Sequence, residues 1–111
     1  SSEAIRKMKG NVMISSDLNS YVRLSLQRAL LGNVTSNIRA VTVELKNKNI
    51  SLHFYFDGEP DDSDQESVSV VEAEVIADFD EDFAIEAIAM RLDYPQPIKN
   101  FNGFLVYLRK E

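Results

Sequence analysis

Between Leu18 and Leu30 apolar side chains recur at three- and four-residue intervals: Leu18, Tyr21, Val22, Leu26, Ala29 and Leu30. That spacing predicts an amphipathic helix. Ser15–Ser16–Asp17 supplies a Ser N-cap and an acid in the first turn, and Gly32–Asn33 supplies the stop. The period then drops to two. Val41, Val43 and Leu45 alternate with Thr42, Glu44 and Lys46; Ile50, Leu52, Phe54 and Phe56 alternate with Ser51, His53, Tyr55 and Asp57. Alternation rich in β-branched and aromatic residues predicts two strands with one buried face, and Asn47–Lys48–Asn49 predicts the tight turn of a β-hairpin.

Asp57–Gly58–Glu59–Pro60–Asp61 breaks the second strand. Beyond Asp62 the apolar positions become Val68, Val71, Val75, Ile76 and Phe79, which is helical spacing, with acids in the first turn where the helix dipole favours them. After Asp80–Glu81–Asp82, the run Phe83–Leu92 predicts a third strand, although Ala84, Ala87 and Ala89 also permit a short helix. Tyr94–Pro95–Gln96–Pro97 ends that element because proline cannot continue a ladder, and Phe104–Leu108 predicts a last strand.

The order is α-β-β-α-β-β. Two hairpins and two helices predict an α+β fold with a four-stranded, mostly antiparallel sheet and both helices packed on one face. With 111 residues the chain suits one domain, assigned to 13–111. Residues 1–12 are read as an N-terminal extension, native or left over from cloning.

Composition removes most chemistry. There is no cysteine, hence no disulfide or thiolate metal site, which suits a reducing cytoplasm. No apolar run approaches the ~20 residues that span a bilayer, and Arg6, Lys7 and Lys9 precede no signal-like apolar stretch. His53 is the single histidine; it shares the outward strand face with Ser51 and Tyr55, where packing or binding is simpler than acid–base work. The acidic run after Asp57 fails as a calcium loop. Counted from Asp57, the positions needing Gly and Glu hold Asp62 and Val68; counted from Asp62, they hold Ser67 and Ala73. Four scattered glycines form neither a P-loop nor a dinucleotide fingerprint. No metal, cofactor or catalytic residue is expected.

Charge changes the picture most. Thirteen of the eighteen acidic residues lie between Asp57 and Glu86, and no Lys or Arg occurs from Asp57 to Met90. The net charge of −6 therefore divides into a segment of −13 and a remainder of +7. A one-signed field of this kind repels nucleic acid and attracts a basic partner.

Four stretches carry a family resemblance: Tyr21–Val22–Arg23 through Ala29–Leu30–Leu31–Gly32; Phe54–Tyr55–Phe56–Asp57–Gly58–Glu59; Glu74–Val75–Ile76–Ala77–Asp78–Phe79; and Arg91–Leu92–Asp93–Tyr94–Pro95–Gln96–Pro97. Over Asp17 to Lys110 the chain resembles small bacterial immunity proteins of contact-dependent growth inhibition and other polymorphic toxin systems. The resemblance implies a cytoplasmic, non-catalytic protein that neutralises a cognate toxin domain by binding it. It would act as a monomer or weak homodimer, without nucleic acid or membrane. The contact candidates are the acids Asp61, Asp62, Asp64, Glu66, Glu72, Glu74, Asp80, Glu81 and Asp82, taken as exposed, with His53, Tyr55 and Tyr94 as anchors. Two other readings stand beside this one. One is an adaptor or regulatory module for another basic protein; the more distant one is an enzyme using carboxylates of the same region.

Overall fold

The computed structural model describes residues 15–99 and 101–111. Its elements are α1 (Ser15–Leu30), β1 (Ile38–Lys46), β2 (Asn49–Phe56), α2 (Asp62–Ala77), β3 (Ala84–Arg91) and β4 (Phe104–Leu108). The predicted α-β-β-α-β-β order holds. Helix α1 already begins at Ser15, so its N-cap position and the N-terminal extension lie outside the described residues. It buries Val22, Leu26, Ala29 and Leu30 in the core, and the turn that follows it passes through Gly32, whose φ of +80° suits a residue without a Cβ.

β1 and β2 form the predicted hairpin. Lys46 faces Asn49 across Asn47–Lys48, and Asn47 takes the positive φ of 58° that a two-residue turn requires. Val41, Val43 and Leu45 pair with Phe54, Leu52 and Ile50 on the face toward the helices. These side chains join Val68, Val71, Val75 and Phe79 from the α2 side in one core. Ile76, expected in that stripe, is instead 46% exposed: the buried positions at 68, 71 and 75 centre the inward face elsewhere, and Ile76 falls outside it.

The sheet order is β3-β2-β1-β4. β1 pairs antiparallel with both β2 and β4, whereas β2 and β3 run parallel. A second hairpin was expected and does not form. Helix α2 carries the chain back to the end where β2 began, so β3 must run parallel to β2. The connection from Leu92 to Gly103 then takes the chain to β4 at the opposite edge.

Burial along β1 also departs from simple alternation. Ala40 and Thr42 are fully buried although they pair with Tyr55 and His53 on the face away from the helices. The β3–β4 connection is fixed at both ends of this stretch. At one end the Arg39 Nη1 donates to the Leu92 carbonyl at 2.6 Å; at the other, Gly103 lies so close to Val43 that a Cβ would stand 1.8 Å from its carbonyl oxygen. The far face is buried at Ala40 and Thr42 on β1 and partly open at Ser51, His53 and Tyr55 on β2 and at Glu86, Ile88 and Met90 on β3.

Candidate protein-binding surface

Linear charge segregation is partly undone by folding. Asp57 pairs with Arg109 at 3.2 Å, Glu59 with Arg91 at 3.7 Å, Asp78 with Arg28 at 3.8 Å and Asp82 with Lys48 at 3.4 Å. Each base comes from outside the acidic segment. Arg39, 2% exposed at the β1 bulge, grips Glu111 through Nε at 2.7 Å and Nη2 at 3.0 Å and lies over the Tyr94 ring at 5.7 Å. Hydrogen bonding from Arg39 holds the Glu111 carboxyl below its ordinary pKa, and Arg91, with help from the Gly58 N–H, does the same for Asp93.

Several candidate acids have local duties. Asp61 caps α2: its Oδ1 accepts the Asp64 N–H at 2.8 Å, and Asp64 Oδ2 accepts the Asp61 N–H at 3.0 Å, closing a reciprocal capping box. Asp64 was taken as exposed and is 1% exposed. Its oxygens also accept from Thr35 Oγ1 at 2.8 Å and Asn37 Nδ2 at 3.1 Å. Burial alone would raise its pKa, but these hydrogen bonds outweigh burial and hold it below the usual carboxylate value. Asp80 Oδ1 accepts the Asp82 N–H at 2.9 Å.

Glu72 has a different task. Its Oε2 accepts the Ala87 N–H at 2.8 Å, closing part of the outer edge of β3. β4, at the other edge, is closed by a base: Arg23 Nη1 donates to the Leu105 carbonyl at 3.0 Å and sits 4.6 Å over the Phe104 ring. An exposed strand edge is a template for foreign strands, and both helices send a side chain to cover one.

Asp62, Glu66, Glu74, Glu81 and Glu86 make no side-chain hydrogen bond or ion pair with the described residues and are exposed. Asp62, Glu66 and Glu74 stand on α2, Glu81 in the turn before β3, and Glu86 on β3 itself. Glu86 was not among the sequence candidates. It lies on the sheet face away from the helices, where the parallel register aligns Glu86, Ile88 and Met90 with Ser51, His53 and Tyr55. Ile88 is 37% and Met90 40% exposed, and the His53 and Tyr55 rings lie 6.5 Å apart. The signal for this row was present in the alternation of Phe83–Leu92, obscured by its alanines. An open hollow of about 350 Å³ lies at its Glu86 end, lined by Asn49, Ile50, Ser51, Ala84, Ile85 and Glu86.

The candidates therefore do not form one patch. The α2 acids and the His53–Tyr55 pair belong to opposite layers of the molecule, with the β3 edge between them. Tyr94 is exposed in the connection beyond β3. Among the described residues no cluster of three or more His, Cys, Asp or Glu side chains has the geometry to hold a metal ion, and no helix is long and apolar enough to cross a membrane.

What distinguishes this small α+β domain is its surface: uncompensated acids and one incompletely closed sheet edge. The family model of the MafI2 immunity proteins matches residues 19–111, and the chain belongs to that family. No curated protein matches it.

Proposed function

We propose that the protein neutralises a cognate, basic toxin domain of the nuclease kind by binding it inside the cytoplasm and masking it sterically and electrostatically, without chemistry of its own. Family membership supports the class, toxin immunity. The observation that carries the finer reading is the set of five acids, Asp62, Glu66, Glu74, Glu81 and Glu86, that have no counter-charge among the described residues. Acids without a structural partner steer a basic protein toward the surface; complementary charge raises association rates by orders of magnitude at low salt. A nuclease domain, basic because its substrate is polyanionic, fits such a field.

The test uses the toxin domain encoded beside the immunity gene, inactivated for handling. Affinity is measured at low and high salt for the native protein and for a combined Asp62→Asn, Glu66→Gln, Glu81→Gln variant. The expected result is a slower association in the variant and a shallower salt dependence. A complex indifferent to both salt and substitution would remove the electrostatic reading. A regulatory adaptor shares the charge logic, and protection of toxin-expressing cells separates the two.

A further inference from the structure

The parallel pairing of β3 leaves half of its backbone facing outward. Ala84 N–H donates to the Lys48 carbonyl and Leu92 N–H to that of Phe56, so the even-numbered residues between them bond toward β2. The odd-numbered residues, Ile85, Ala87, Ala89 and Arg91, present N–H and C=O to the outer edge. Of these groups, Glu72 satisfies the Ala87 N–H; Ala89 and Arg91 donate to no acceptor among the described residues. β3 has eight residues, no Pro and no Lys, and exposes Ile88 and Met90 beside this edge. Monomeric proteins usually guard an edge with Pro, Lys or other charged side chains, and β3 itself carries only Glu86 and Arg91 of these.

We infer that the Ala89–Arg91 edge of β3 receives an extended segment of the toxin as a fifth strand, with Lys or Arg side chains of that segment facing Glu72 and Glu86. The inference rests on the toxin-binding reading above and adds where and how the partner docks. Main-chain hydrogen bonds to the edge give affinity, and the flanking side chains select the segment. Charge picks the occupant. A second copy of this chain would bring the same Glu72 and Glu86 to the shared edge. Its one base there, Arg91, is already held by Asp93 at 3.0 Å and Glu59 at 3.7 Å. A basic strand meets no such opposition.

Amide hydrogen exchange on the native protein reads the edge directly. In the free protein the Ala89 and Arg91 amides exchange faster than those of Ile88 and Met90, and on adding the inactivated toxin domain they become protected. Ala89→Pro removes an outward N–H that the fold does not use, a place where a strand tolerates proline. It should weaken toxin binding about tenfold or more, through a lost backbone hydrogen bond and a steric block, while thermal unfolding confirms that the variant is folded. If a complex forms and the Ala89 and Arg91 amides exchange as in the free protein, or the folded proline variant binds like the native one, edge docking is overturned while toxin binding stands. Protection that grows with the concentration of this protein alone assigns the edge to a second copy and also overturns the proposal. No complex at all overturns both readings.

Discussion

The two edges of the sheet are closed by the same device with opposite charge. At β4 a cation from α1 sits on a carbonyl and over the adjoining aromatic ring; at β3 a carboxylate from α2 sits on one N–H. β4 has five residues and β3 eight, so a single side chain covers a larger share of one edge than of the other. Similar devices applied to strands of different length leave different exposures. The short edge is a matter of stability, whereas the long one retains backbone groups to offer.

The largest expected effect breaks the β4 side. Gly103→Ala places a Cβ against the Val43 carbonyl at a φ of +95°, so β4 cannot enter its register without backbone movement. A loss of ~3 kcal/mol or more is expected from urea unfolding, as for other backbone clashes. Next comes the start of α2, which carries the Glu72 cap. Asp64→Ala removes half of the capping box and leaves Thr35 and Asn37 without their acceptor, costing ~2 kcal/mol. The same residue sets an acid limit. Asp64, Asp93 and Glu111 titrate lower in the folded than in the unfolded chain, so their stabilisation is complete above the ordinary carboxylate pKa of about 4 and is lost as pH falls through the lower folded values. Unfolding titrations from neutral to acid pH should show a plateau and then a fall, with a gentler fall in Asp64→Asn.

Smaller effects sharpen the comparison itself. Glu72→Ala and Arg23→Ala should each cost ~1 kcal/mol. Their effects should add in the double variant because the two caps stand on opposite edges. Amide exchange distinguishes them: only the Glu72 variant should deprotect Ala87. The smallest change runs the other way. Thr42 Oγ1 is buried between the edges with no hydrogen-bond partner among the described residues, and Thr42→Val should raise stability by ~1 kcal/mol, read as a higher Tm.

The helices and the first hairpin were legible because each is governed by local rules: Val22–Leu26–Ala29 by period, Asn47 by turn conformation, the start of α2 by acids in its first turn; the reciprocal capping box of Asp61 and Asp64 was not read from the sequence. The parallel β2–β3 pairing was not, since which strand β3 joins depends on where α2 packs, and no residue of β3 encodes that. For the candidate surface, the acidic segment was visible but its free members were not. Asp57, Glu59, Asp78 and Asp82 find bases remote in sequence, and Asp64 disappears under Thr35 and Asn37. Glu72, one of the acids taken as a contact candidate, instead accepts a backbone amide of another element.

The division among the acids has an evolutionary consequence. Asp57, Asp64, Glu72 and Asp78 are fastened to other parts of the molecule, so replacing any of them disturbs the fold. Asp62, Glu66, Glu74, Glu81 and Glu86 hold nothing among the described residues in place. On the binding reading proposed above, a lineage can rewrite those five positions one at a time, altering its choice of partner while the architecture beneath stays intact.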